Sequence, residues 1–143
     1  PVLLYDGEHS AAGAIHCGWR SSVGDILRNA LDAMASLGAK AQSVHAAIGP
    51  SIGRCCFETD DDVPQAIERY LSGDTDGLFD RRPGGKTMVD LRAANARRLI
   101  QLGVLPENID ISDECTYCRH DKYWSHRYTH GQRGSQAALI VLD

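Results

Sequence analysis

The chain has no long apolar run, no excess of positive charge and no even set of cysteines. Across its 143 residues no stretch approaches the roughly 20 consecutive apolar residues that cross a bilayer, so a membrane-embedded role is set aside. No basic start followed by an apolar core and a small-residue cleavage site marks a secretory signal. The formal net charge is −4, the wrong sign for a nucleic-acid surface. The arginine pairs at 81–82 and 97–98 lie apart and read as solvated positions. Five cysteines, an odd number with no secretory signal, argue against a disulfide framework and fit reduced thiols in the cytoplasm. There is no internal repeat and no low-complexity tract. What remains is 43% hydrophobic and 24% charged, the balance of a globular protein whose length suits one compact domain.

The periodicities predict helices and strands intermixed. Val2–Tyr5 reads as a strand closed by the turn-rich DGEHS, and AAGAIHCGW (11–19) as a second strand forming an antiparallel hairpin with it. From Ser21 to Gly38, apolar residues at Val23, Ile26, Leu27, Ala30, Leu31, Met34 and Leu37 give helical spacing, capped by Ser21 or Ser22 and ended by Gly38. VHAAIGP is a strand stopped by Pro50, and DDDVPQAIERYL is a helix whose Asp60–Asp62 run suits a helix N-terminus. Residues 72–87 read as a long loop. MVDLRAANARRLIQLG is a helix capped by Asp90 and stopped by Gly103, with Leu91, Ala94, Leu99 and Leu102 on one side. NIDISD is a short strand, 115–134 a loop rich in aromatics and histidines, and SQAALIVLD a closing buried strand. This order defines a mixed α/β (α+β) fold. The chain opens with PVLLYDG and no initiator methionine, already inside a strand, so a chain cut from something longer is expected.

Several residue groups carry potential chemistry. Cys115, Cys118 and His120 have metal-ligand spacing, but a structural zinc takes four ligands. No second Cys-x-x-Cys exists, and the adjacent Cys55 and Cys56 make an unusual pair for one ion, so the spacing argues against a structural zinc. No βα unit opens at Cys115 to support a thioredoxin-like pair. His16 falls at a strand end, where ligands often sit; taken alone it reads as a satisfied core histidine. In an extended strand Cys17 points to the opposite face. Arg20, near the first helix, is a candidate to hold an anion, although taken alone it reads as a plain surface arginine. GPSIGRCCFE lacks the spacing of a phosphate loop. Its glycines serve sharp turns and its cysteines read as small hydrophobes. In YWSHRYTHGQRG, the aromatics Tyr123, Trp124 and Tyr128 can stack on a base and Arg127 can contact phosphate, with His126 and His130 between them. A hairpin turning at HGQRG is the structural alternative.

Four blocks in order, IHCGWRS, IGPSIGRCCFE, DLRAANARRLIQLGV and CTYCRHDKYWSHRYTHGQRGSQAALIVL, resemble the laccase-like, or polyphenol oxidase, domain family over residues 1 to 142. Members of that family have also been described as purine nucleoside phosphorylases with adenosine deaminase activity. The resemblance implies a layered β-sheet sandwich flanked by helices, with residues 1–143 as the C-terminal part of a longer laccase-like domain. It implies that His16 is one of three metal ligands. A second would be a cysteine two residues before the proline that Pro1 matches, and a third a histidine further upstream. Cys17 stands where the family has alanine, Ser21 where it has glycine, and His126 where it tends to have tyrosine before Arg127.

The implied cofactor is zinc, with copper as the alternative, and the implied substrates are a purine nucleoside and phosphate, with neither nucleic acid nor membrane as partner. A zinc with an open position activates water, as attack at C6 of adenosine with loss of ammonia requires. In phosphorolysis, phosphate held by an arginine attacks C1′ of the ribose as the base departs. Arg20 and Arg127 are the candidate anion holders, and Tyr123, Trp124 and His126 the candidate contacts to the base. Three alternatives stand beside this reading. A copper oxidase needs several neighbouring histidines, whereas these are scattered through loops. A metal-free Cys–His hydrolase needs a hydrogen-bonded dyad, which His16 and Cys17 on opposite faces cannot form. The last is an inactive fragment.

Overall fold

The computed structural model describes residues 1–142 and contains two sheets and four helices. The larger sheet has the order β2-β1-β3-β7, formed by β1 (Val2–Asp6), β2 (Ala11–Ile15), β3 (His45–Ile48) and β7 (Ile109–Ile111). Pairings β1–β2 and β1–β3 are antiparallel, and β3–β7 is parallel. The smaller sheet, β4-β6-β5, joins β4 (Glu58–Thr59), β5 (Phe79–Arg81) and β6 (Thr87–Val89). The helices are α1 (Trp19–Val23), α2 (Ile26–Ala35), α3 (Asp62–Tyr70) and α4 (Leu91–Gln101). Among the described residues no helix is long and apolar enough to cross a membrane.

Strand alternation gives the larger sheet two unlike faces. Val2, Leu4, Ala46 and Ile48 are buried with Leu27, Leu31 and Met34 of α2 and Leu99 of α4. The intervening Leu3 and Ala47 instead line a cleft on the other face. A second core forms around Phe57, Val63, Ile67, Leu71, Leu78 and Val89. Helix α4 joins the two cores: Ala96 and Leu99 enter the first, and Ala94 and Leu91 pack on the second. Its apolar residues therefore serve two faces rather than the single side that the sequence suggested. The predicted Asp90 cap is present, with its carboxylate accepting from Ala93 N–H at 2.9 Å.

Five other expectations are corrected. The second strand ends at Ile15, so residues 16–18 leave the sheet and Trp19 already begins α1. The helix expected over 21–38 breaks at Gly24–Asp25, where Asp25 adopts a left-handed φ of 61°, a conformation that Asp tolerates better than most residues. Its carboxylate takes Arg98 from α4 and Arg28 from α2. Arg98 is thus a half-buried inter-helix clamp rather than a solvated residue. The loop expected over 72–87 contains β5 and the start of β6. Residues 135–142 form no strand, and Leu139 and Val141 are exposed; apolar content alone does not supply the partner that a strand requires. Asp143 lies outside the described residues.

The hairpin turn between β1 and β2 is organised by Asp6, a fully buried carboxylate. It accepts from the backbone N–H of Glu8 at 3.0 Å, from Ser43 Oγ at 2.7 Å and from His9 Nδ1 at 3.1 Å. The Ser43 bond outweighs the cost of burial and, with the His9 contacts, holds the carboxyl down at about 2. A carboxylate depressed in the folded state stabilises fully above its unfolded value of about 3.9 and loses that contribution as pH falls toward the folded one. Asp6→Asn should therefore lower the melting temperature at pH 7, and the gap between variant and parent should close between about pH 4 and 2. Thermal melts across that range check this; a gap independent of pH would show that Asp6 acts through something other than its charge.

Candidate active-site cleft

The sheet face not covered by helices forms one side of a cleft of about 720 Å³. Leu3 of β1 and Ala47 of β3 line it, and His16, the first residue past the end of β2, reaches the same side. There it lines the cleft and is exposed, with Pro1 beside it across the hairpin. The expectation that Cys17 faces away from His16 fails, because the strand stops at Ile15 and alternation stops with it. Cys17 also lines the cleft, although it packs against the first core. Burial pushes its thiol up to about 11.

The opposite wall comes from residues 116–138, which contain no helix or strand. Tyr123, Trp124, His126 and Arg127 all line the cleft. Tyr123 donates its hydroxyl to Glu114, which also accepts from Lys122 Nζ at 2.8 Å and Arg119 Nη1 at 3.0 Å. Lys122 and then Tyr123 hold the Glu114 carboxyl below its ordinary value. With its hydroxyl so engaged, Tyr123 offers the cleft its ring. Trp124 is half exposed, and its backbone N–H donates to Gln136 Oε1 at 3.0 Å. Gly134 lies so close beneath the indole that a Cβ there would fall 2.8 Å from the ring. Arg127 donates from Nη1 to the Glu58 carbonyl at 3.0 Å, with its guanidinium above the Phe57 ring.

Arg20 is not brought to the cleft wall. It stacks over Trp19 with its guanidinium carbon 4.3 Å from the ring centroid. The alternative of a hairpin at HGQRG is not what forms; Thr129 and Gly131 N–H groups instead close helical-type turns on Ser125 and His126 carbonyls. His130 does not line the cleft. Tyr128 stacks on His120 with centroids 3.8 Å apart, and His120 Nδ1 lies 3.1 Å from the Tyr117 carbonyl oxygen. Arg133 and the buried Thr116 and Ser125 also line the cleft, and sequence reading missed them. So were Glu114 and Arg92, whose guanidinium donates to the Ser112 and Glu114 carbonyls and so tethers the wall to α4. Nothing in their spacing marks them, since each acts on a neighbour in space.

The reading against a cysteine metal set is overturned as geometry. Cys55, Cys56, Cys115 and Cys118 converge, with all four sulfurs within 4.8 Å of one another, a group able to hold a metal ion. His120, whose spacing from Cys118 suits a ligand, is not part of it. Cys115 Sγ accepts from Gly53 N–H at 3.2 Å. Burial raises this thiol, but N–H donors from Cys118, Gly53 and Tyr117 outweigh that cost and bring it to about 7. Cys56 and Cys55 are pushed up, burial being the first cause for each.

A mixed α/β domain with a cleft on its bare sheet face, lined by histidine, arginine and aromatic side chains, has the build of a small-molecule binding site. The family model described as multi-copper polyphenol oxidoreductase laccase matches residues 1–143, and the chain belongs to this family. It is 35% identical over 127 residues to "Adenosine deaminase RL5" from an unknown prokaryotic organism, covering 89% of this chain and 48% of that protein. It is also 35% identical over 128 residues to a "Purine nucleoside phosphorylase" of Bacteroides thetaiotaomicron, covering 89% of this chain and 47% of that protein. The crystal structure of YlmD from Geobacillus stearothermophilus superposes with a TM-score of 0.89 at 28% identity, covering 94% of this chain and 50% of that one. The YfiH protein of Bacillus licheniformis gives 0.86 at 30% identity, covering 92% and 49%. The chain spans about half the length of the curated relatives it matches.

A thiol at about 11 carries roughly 300-fold less thiolate at pH 7.5 than a free one near 8.5. Iodoacetamide at that pH should therefore label Cys17 on the order of 300-fold more slowly than an unfolded peptide carrying it. Peptide mapping by mass spectrometry measures this; labelling at the free rate would restore Cys17 as a candidate nucleophile.

Proposed function

We propose that this chain forms the nucleoside-binding half of a zinc-dependent purine nucleoside enzyme. The reading covers phosphorolysis of adenosine, inosine and methylthioadenosine and deamination of adenosine. The observation that carries it is the single cleft gathering His16, Tyr123, Trp124, His126 and Arg127. Its volume lies within the roughly 300–1,000 Å³ of small-molecule sites. The names of the relatives, phosphorylase and deaminase of purine nucleosides, fit the same residues.

His16 suits a metal ligand: it stands at the cleft, exposed, with no side-chain hydrogen bond competing for its ring among the described residues. Pro1, which matches the proline of the family's ligand motif, sits beside it. A zinc ion there would supply an open coordination position for activating water. The other roles fall to this chain's own side chains. Arg127 has five N–H donors, and the Glu58 carbonyl takes one of them, leaving a fork suited to phosphate. Tyr123 and Trp124 present ring faces on which a purine can stack, and His126 offers a polar ring beside them. In phosphorolysis a phosphate oxygen bonds to C1′, the C1′–N9 bond breaks, and the base leaves with that electron pair and takes up a proton. Arg20, stacked on Trp19, would have to swing to join Arg127 at the anion.

The description of the family favours a copper-dependent phenol oxidase as the second reading. Such oxidases gather several histidines, whereas the convergent donor set among the described residues is all cysteine. Copper-dependent oxygen consumption with a phenol would separate the two.

Full-length protein incubated with inosine or adenosine and phosphate should yield free purine base and ribose 1-phosphate by chromatography. His16→Ala should abolish turnover. Arg127→Ala should raise the KM for phosphate on the order of 10- to 100-fold, as loss of a charge-assisted hydrogen bond implies. Absence of any purine product together with absence of bound metal would reject the proposal.

A further inference from the structure

We propose that Cys55, Cys56, Cys115 and Cys118 bind one zinc ion as a closed four-thiolate site, separate from the cleft, that fastens the irregular segment carrying Trp124 and Arg127 to the turn at 53–57. Zinc–sulfur bonds of about 2.3 Å in a tetrahedron place neighbouring sulfurs about 3.8 Å apart. Cys55 Sγ lies 3.7 Å and Cys56 Sγ 3.4 Å from Cys118 Sγ, and no pair of the four exceeds 4.8 Å. The distances suit ligands around one centre. They are too long for a disulfide, whose sulfurs stand about 2.05 Å apart, and all five cysteines are free.

The backbone around the sulfurs is shaped for this. Cys56 and Phe57 N–H groups both donate to the Gly53 carbonyl at 2.9 Å, a tight turn that brings the adjacent Cys55 and Cys56 to one side. Gly53 approaches the other pair so closely that a Cβ there would sit 3.2 Å from Cys115 Cβ and 2.9 Å from Arg92 Nη2. Its N–H donates to Cys115 Sγ at 3.2 Å, the kind of donor that supports a metal-bound thiolate. Two segments about sixty residues apart are already in contact there: Ser51 bridges Cys115 in parallel fashion, and Thr116 N–H donates to the Ser51 carbonyl at 3.0 Å.

The role is structural because four protein ligands leave no open position. None of the four cysteines lines the cleft, whereas their neighbours Ile52, Phe57 and Thr116 do. On binding, each thiol gives up its proton to solvent and the sulfur lone pair forms the bond to zinc, with Arg92 beside Gly53 as the nearby cation.

The test separates this site from the cleft metal. Full-length His16→Ala protein is purified under reducing conditions without chelator, and its zinc is counted by mass spectrometry. One zinc per chain should remain. Exchange for cobalt should give strong thiolate-to-metal charge transfer and the intense visible bands of a tetrahedral sulfur site. Adding Cys118→Ser to that variant should remove the metal and the bands, and chelation of the parent should open residues 119–142 to limited proteolysis. A His16→Ala protein with no zinc and no cobalt–thiolate bands would overturn the proposal. So would a thiol count that falls short under non-reducing denaturation, which indicates disulfides, or iron in place of zinc. Absence of purine turnover by the parent protein with this zinc retained would count only against the cleft reading, since the two sites share no ligand.

Discussion

The cleft depends on one contact, between the turn at 51–57 and the start of the irregular segment at 115–118. Among the described residues no helix or strand follows Ile111, so the ladder hydrogen bonds that fix a backbone elsewhere are missing there. What replaces them is sparse and specific. Thr116 N–H pairs with Ser51, Arg92 of α4 grips the Ser112 and Glu114 carbonyls, and Glu114 gathers Arg119, Lys122 and Tyr123. Each fastening is individually modest, since a typical hydrogen bond contributes about 1 kcal/mol net and exposed ion pairs less. The geometry of Tyr123, Trp124 and Arg127 therefore rests on several weak ties acting on a short segment, and the convergence of four thiols at its base is where a strong tie would have most effect.

The other side of the cleft follows from a different constraint, the parity of a strand. Helices α2 and α4 cover one face of the larger sheet, and β1 is central, paired on both edges. Its odd residues are consequently left for something else to cover. Leu3 and Ala47 share that parity and the cleft, and His16 joins them from the chain just past β2. Because α4 packs on both cores, and Arg92 on the same helix ties down the segment opposite, one helix sets the separation of the two sides.

These constraints were unequally legible in the sequence. The mixed fold, the Asp90 cap, the first hairpin and the position of His16 at a strand end follow from local rules, which operate over a few residues. The misjudged positions are those where a local rule was carried past its range. Alternation was extended through Cys17, beyond the end of β2, and helical spacing was extended through Gly24–Asp25, where the link to Arg98 rewards a break. Apolar composition at 137–142 suggested a buried strand where no neighbour pairs with it. The cysteine set was missed for the opposite reason: Cys55 and Cys56 were discounted for being adjacent, although the turn at Gly53 turns both sulfurs the same way. Sequence spacing constrains two ligands on one element, but not two pairs brought together by tertiary contact.

Two donor sets of unlike character thus occur in this chain, and their chemistry suits them to different work. Four sulfurs in mutual contact saturate an ion's coordination and exclude substrate. A single exposed imidazole cannot hold an ion alone, and in company with other ligands it leaves space in the coordination sphere for a reactant. Under the two proposals, reactivity belongs with His16 and the open sheet face, and rigidity with the cysteines. The segment from Thr116 to Arg127 connects them, so a change at the sulfurs would reach the cleft as a displacement of Trp124 and Arg127 while leaving the imidazole side of the cleft in place.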